Sequence, residues 1–202
     1  MPCPNNTTRA RYIHGEIEMN KHDRKSMRLH DYDYSSEGGY FITIVTANRE
    51  PLFGRIINGN MVLNEFGKIA RDEWLQTGLK RNNVEIYEDE FCIMPNHFHA
   101  IIWIVDINEN HVARMGDTAR RVPTTAFGKP VAGSLSTIIG GYKSAVTRRI
   151  NVLRGTEGEM VWQSHFYDHI IRGEKDFSEI SEYIALNPAG WEKDEDFVKE
   201  CV

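Results

Sequence analysis

Apolar positions recur at two distinct periods along the chain. In GGYFITIVTANRE, β-branched and aromatic residues fall on alternate positions, which predicts a strand over residues 40–47. FGRIINGNMVLN reads as a short hairpin turning at Asn58-Gly59, the residue pair that best tolerates two consecutive left-handed conformations. The period then changes. Asn64 is placed to cap a helix through EFGKIARDEWLQTGLK, where Phe66, Ile69, Ala70, Trp74 and Leu75 form one apolar stripe. VEIYEDEFCIM and HFHAIIWIVDI predict two strands on either side of a Met94-Pro95-Asn96 turn.

Between about residues 106 and 133 the chain is polar and has no clear period, so a loop or insert is expected there. Ser134 can cap a helix running LSTIIGGYKSAVTRRINVL, and MVWQSHFYDHII reads as extended. Asp176 and Glu179 have the spacing of a capping box that opens FSEISEYIAL, and Pro188 disfavours helical geometry at Asn187. The order strand, hairpin, helix, strand, strand, helix, helix predicts an α+β fold, with helices packed on a mostly antiparallel sheet. The expected organisation is an N-terminal arm over 1–39, one domain over 40–191 and an acidic tail over 192–202.

Composition narrows the class. The 202 residues are 41 % hydrophobic and 26 % charged, as in ordinary soluble domains, and no apolar run has the length of a membrane span. The N-terminus lacks the apolar core of a signal peptide, so a cytoplasmic location without membrane attachment is expected. Cys3, Cys92 and Cys201 are far apart and predict free thiols. The net charge of −5 excludes a uniformly basic nucleic-acid binder. Its distribution matters more: residues 174–202 carry nine acids and three bases, which leaves the preceding part at +1. Residues 140–155 hold Lys143, Arg148, Arg149 and Arg154 with no acid, either a phosphate-binding face or a solvated helix face.

The chemistry centres on MPNHFHAII. On a strand, His97 and His99 point to one face and Phe98 to the other, the geometry of two ligands on one divalent metal. A pair of this kind also arises by chance. On the last helix, Tyr183 and Asn187 are four residues apart and share a face. If that face meets the histidine strand, Asn187 offers an oxygen ligand and Tyr183 a hydroxyl beside the metal. Otherwise Tyr183 packs with Ile180 and Ile184, and Asn187 only ends the helix. A phenol, with an ordinary pKa of about 10, becomes a useful nucleophile beside a cation that also polarises a phosphodiester.

MPNHFH, together with VWQSHFYDHIIRGEKDFSEISEYIALNP, resembles the HUH endonucleases, in particular the IS200-like single-tyrosine transposases of the REP-associated type. The resemblance spans roughly residues 40–191. It implies a ferredoxin-like or RRM-like antiparallel sheet with the histidine strand central. It implies Tyr183 as nucleophile, and His97, His99 and Asn187 as ligands to magnesium or manganese. It also implies cleavage of single-stranded DNA near hairpins, with a 5′-phosphotyrosine and a free 3′-OH as products. Asn187 stands where insertion-sequence enzymes have Gln, which is the REP-associated form.

Tyr142 and Tyr167 are competing nucleophiles, but neither has an amide residue four positions on. Lys143, Arg148, Arg149 and Arg172 are candidate phosphate contacts, and Trp162 and Gln163 candidate base contacts, Trp162 serving equally well as a core residue. His165 and His169 are expected to be structural or DNA-facing. Two other activities stay open: a domesticated hairpin-binding protein that moves nothing, and a small-molecule phosphoesterase. The second is disfavoured because Ile101 stands where a third alternating histidine would be wanted. Either a monomer or a homodimer is compatible with the sequence.

Overall fold

The computed structural model describes residues 32–106, 131–194 and 197. Most of the N-terminal arm, the bulk of the polar insert, most of the acidic tail, Cys3 and Cys201 lie outside the described residues. The elements are β1 (Gly38–Val45), β2 (Gly54–Ile57), β3 (Asn60–Leu63), α1 (Glu65–Leu79), β4 (Val84–Glu85), β5 (Phe91–Ile93), β6 (His97–Ile104), α2 (Leu135–Arg154), β7 (Tyr167–Ile170) and α3 (Glu174–Leu186), followed by a 3-10 turn over Pro188–Lys193.

The fold is α+β. Its main sheet is antiparallel, in the order β4-β6-β1-β7, with β5 also paired to β6. The histidine strand β6 is therefore interior, with β1 along one edge and the short β4 and β5 along the other. Alternation divides the sheet into two faces. Tyr40, Ile42 and Ile44 of β1, with Phe98, Ala100, Ile102 and Ile104 of β6, meet Ile69, Ala70 and Trp74 of α1 and Ile138, Tyr142 and Val146 of α2 in the main core. On the opposite face Phe41 and Ile101 pack with Ile184 of α3, edged by Trp103, Phe177, Ile180 and Tyr183. Gly39 is required here: a Cβ on it would lie 2.8 Å from the Trp103 ring.

The hairpin turns where predicted, with Asn58 at φ 50° and Gly59 at φ 74°. Asn64 caps α1, its side-chain oxygen accepting from the Gly67 N–H at 3.0 Å. Other expectations need correction. The strand predicted through VEIYEDEFCIM is two short pieces, because the acidic stretch between them turns, with the Glu90 N–H donating to the Tyr87 carbonyl. The predicted capping box does not form: α3 starts earlier, at Glu174 after Gly173, and Glu179 pairs with Lys175 instead. Asp176 satisfies different donors, accepting from the Arg172 N–H at 2.8 Å and from His169 at 2.9 Å. The folded body also begins before residue 40, since Tyr34 is buried in the main core and Tyr32 packs against it.

Candidate metal centre and tyrosine site

His97 and His99 open β6 on the face that α3 covers, and both rings are buried, 4.5 Å apart between centroids. His99 is held on three sides. Its Nδ1 lies 2.8 Å from Thr43 Oγ1 on the neighbouring strand, its ring stacks on Phe41 at 5.5 Å, and its Nε2 lies 3.2 Å from the Tyr183 hydroxyl. Burial first, and then the neighbouring His97, push its pKa well below the ordinary imidazole value, so the ring stays neutral and keeps a lone pair for a metal.

Helix α3 brings Tyr183 to this point through the packing of Ile184 on Phe41 and Ile101. One turn later Asn187 ends the helix, and the following 3-10 turn carries Trp191 to 5.8 Å from the His97 ring. The chain then places Asp194 Oδ2 4.0 Å from His97 Nε2 and 3.1 Å from the donating Asn187 Nδ2. The ligand atoms of His97, His99 and Asp194 all lie within 4.8 Å of one another, a group able to hold a metal ion.

The donor set suits a divalent cation: two imidazoles and a carboxylate. A further observation agrees. The Asn187 Oδ1 is buried and has no hydrogen-bond partner among the described residues, the condition in which an amide oxygen is ready to bind a cation. In the Nδ1–H tautomer of His99, Nε2 has one in-plane lone pair, for which the Tyr183 hydroxyl and a metal ion would compete.

Beside Tyr183 lies a shallow cleft of about 380 Å³, lined by Glu179, Glu182, Leu186, Asn187, Gly190 and Asp194. Its charged residues are all acids, so a phosphate enters it against repulsion unless a cation is present.

The other residues singled out in the sequence divide. Tyr142 is buried on the far face and donates to the Ala70 carbonyl, which removes it as a nucleophile. Tyr167 lies on the α3 face but one strand beyond Thr43, near Phe41. Trp162 is 5 % exposed and packed between Phe53 and Tyr142, the core role that the sequence equally allowed. Arg149 is engaged with Glu73 at 2.9 Å and Asp72 at 3.8 Å, and Lys143 donates to the Gln163 and Ser164 carbonyls. Arg148, Gln163 and Arg172 are exposed. Arg148 and Gln163 line a groove of about 700 Å³ between α2 and residues 155–164. His169 is structural, bonded to Asp176, and His165 is exposed. The residue that sequence reasoning missed is Asp194. Its only signal was its place a few residues beyond the ALNP helix end, inside a run of acids that reads as a solvated tail.

No protein-family model matches the chain. An uncharacterized protein of Haemophilus influenzae is 39 % identical over 178 residues, which cover 88 % of this chain and 94 % of that protein. The chain belongs to one family with this Haemophilus protein. A second Haemophilus influenzae protein, described as a "Putative REP-associated tyrosine transposase", is 26 % identical over 160 residues, covering 77 % of this chain and 73 % of its own. The chain thus resembles the REP-associated tyrosine transposases, as its motifs imply. A solved structure of a REP-associated tyrosine transposase bound to a REP hairpin aligns over 82 % of this chain and 73 % of its own, at 18 % identity and a TM-score of 0.47. Among the described residues, no helix is long and apolar enough to cross a membrane.

Proposed function

We propose that this chain is a divalent-metal-dependent endonuclease and strand transferase for single-stranded DNA, acting at hairpins, with Tyr183 as nucleophile. The observation that carries the reading is the 3.2 Å approach of the Tyr183 hydroxyl to His99, within the His97, His99 and Asp194 group. Within a single chain the tyrosine already meets the histidines.

His97, His99 and Asp194 would hold the metal, with Asn187 contributing Oδ1. The bound cation supplies charge neutralisation for a phosphodiester in an acidic cleft and favours the ionised phenol. Tyr183 gives its proton to solvent water, its oxygen attacks phosphorus, the P–O3′ bond breaks, and the departing oxygen takes a proton from solvent to become a free 3′-OH. The new Tyr183–phosphate ester conserves the bond, so attack by a 3′-OH returns the phenol and rejoins a strand. Phe41 and Thr43 keep the His99 ring oriented throughout.

The groove between α2 and residues 155–164 supports a path for the DNA. Gln163 donates its N–H to the Val45 carbonyl, and Val45 pairs with His97. Two strand spacings, about 10 Å, therefore separate the Gln163 backbone at the edge of the groove from the His97 backbone. Arg148, Gln163 and Arg172 are the proposed DNA contacts, and the REP hairpin of the related transposase is the model for the ligand.

The test is a denaturing gel of the protein with end-labelled single-stranded hairpins from repeats flanking its own gene, in Mn²⁺, beside Tyr183→Phe. A labelled protein band lost in the variant supports the reading. Hairpins shifted on a native gel with no covalent band in Mn²⁺ or Mg²⁺ would replace it with the binding-only alternative.

A further inference from the structure

The residue in front of the first histidine is as buried as the histidine itself. Asn96 and His97 are both 0 % exposed, and His97 Nδ1 lies 3.0 Å from Asn96 Oδ1. An amide can be turned over without changing its shape, so the identity of that oxygen must come from its surroundings. Here the other end of the amide settles it. Asn96 Nδ2 faces the Arg49 backbone carbonyl at 3.1 Å, and a carbonyl oxygen only accepts. Turning the amide would set oxygen against oxygen there.

The consequence passes to the imidazole. An amide oxygen also only accepts, so His97 Nδ1 must carry the hydrogen, and in the neutral ring that leaves the lone pair on Nε2. That nitrogen is the one 4.0 Å from Asp194, on the metal side.

The carbonyl at the start of this relay is unusual. Asn48 and Arg49 are consecutive non-glycine residues with φ of 56° and 57°, a left-handed pair that needs support from its surroundings. The support is on the same two loops: the Thr46 N–H donates to the Asn96 carbonyl, the Phe53 N–H to the Pro95 carbonyl, and the Thr46 hydroxyl to the Glu50 carbonyl. The turn is tied to the Met94-Pro95-Asn96 turn on both sides of Arg49, which fixes where its carbonyl points.

His99 differs. Its Nδ1 partner is the Thr43 hydroxyl, which donates or accepts, so nothing in that contact dictates a tautomer.

We infer that Asn96, aimed by the Arg49 carbonyl, is a positioning residue that locks His97 in the Nδ1–H tautomer and so presents Nε2 to the metal. The part concerning metal affinity rests on the metal-dependent reading above; the tautomer does not.

Long-range proton–nitrogen NMR of the metal-free full chain at pH 7.5 reads the tautomer directly. His97 is expected to be protonated on Nδ1. Mn²⁺ titration of the parent, Asn96→Ala and Asn96→Asp reads the consequence. The Asp variant keeps the acceptor toward His97 but loses the donation to Arg49, whereas Ala loses both. Asn96→Ala is expected to mix the His97 tautomers, leave His99 unchanged and weaken Mn²⁺ binding about 10- to 100-fold. Asn96→Asp is expected to keep His97 protonated on Nδ1, since either carboxylate oxygen accepts from it, while losing stability because its second oxygen faces the Arg49 carbonyl.

A folded Asn96→Ala in which His97 stays protonated on Nδ1 alone would show that Asn96 only ties the loops together, and would overturn the inference. A parent His97 protonated on Nε2 would overturn it even if Mn²⁺ binds, and needs no variant to fold. A parent with His97 protonated on Nδ1 that binds no Mn²⁺ would uphold the relay and remove the metal-dependent reading instead.

Discussion

Replacing Asp194 with Asn removes one negative charge from the candidate metal centre while keeping the shape of the side chain and an oxygen that can accept from Asn187. The charge lies 4.0 Å from His97 Nε2. Two unit charges at 4 Å interact by about 1 kcal/mol in bulk water, hence about 2 kcal/mol for a divalent ion; an effective dielectric near 20 would raise this to about 8. Asp194 also gives up hydration to sit there, its side chain only 9 % exposed, so the lower figure is the safer floor. At 1.4 kcal/mol per tenfold, Asp194→Asn should weaken Mn²⁺ binding by roughly 30-fold or more. The assay is a calorimetric or EPR titration of Mn²⁺ at fixed ionic strength, with urea unfolding to show that the variant is folded and His97→Ala as a reference for a lost ligand. Binding by Asp194→Asn within threefold of the parent, with His97→Ala defective, would refute the placement of Asp194 in the metal's coordination.

Four further outcomes follow from the same geometry. Because the Tyr183 hydroxyl competes for Nε2 in the Nδ1–H tautomer of His99, Tyr183→Phe should bind Mn²⁺ as tightly as the parent or up to about fivefold tighter, the worth of one released hydrogen bond of about 1 kcal/mol; weaker binding would contradict the competition. Helix α3 is held by a small cluster, so Ile184→Ala, at a cost of about 2–5 kcal/mol, should speed amide exchange along α3 and lower the rate of tyrosine attachment while β1 and β6 stay protected. Arg148→Ala should lower the slope of log affinity against log salt by about 1 for hairpin DNA. The depressed pKa of His99 makes stability depend on pH: above about 6.5 the ring is neutral whether folded or unfolded, and below it the unfolded chain takes up a proton that the folded one refuses. Urea unfolding should thus show stability falling as the pH drops from about 6.5 toward the lowered folded value, with a shallower fall in His99→Gln.

What could be read from the sequence was whatever depends on near neighbours. The two-residue period put His97 and His99 on one face and Phe98 in the core, the four-residue spacing put Tyr183 and Asn187 together, and the Asn64 cap and Asn58-Gly59 turn need only their own few residues. What failed depends on groups distant in sequence. The Asp176–Glu179 box was preempted by His169 and Arg172, which sit on the preceding strand and loop and offer Asp176 stronger donors. Arg149 and Lys143 look available in a basic stripe, yet Glu73, Asp72 and two backbone carbonyls take them up once α2 packs beside α1 and residues 163–164. Asp194 was read as tail because only the 3-10 turn after Pro188 returns the chain over His97.

The most direct test of the central claim is to find the atom that becomes attached to DNA. The covalent product formed in Mn²⁺ would be trimmed with nuclease, digested with trypsin and mapped by tandem mass spectrometry. The account predicts a residual nucleotide on the tyrosine of the peptide containing Tyr183. A nucleotide on Tyr167 or any other residue, or cleaved DNA with no attached peptide, would contradict it.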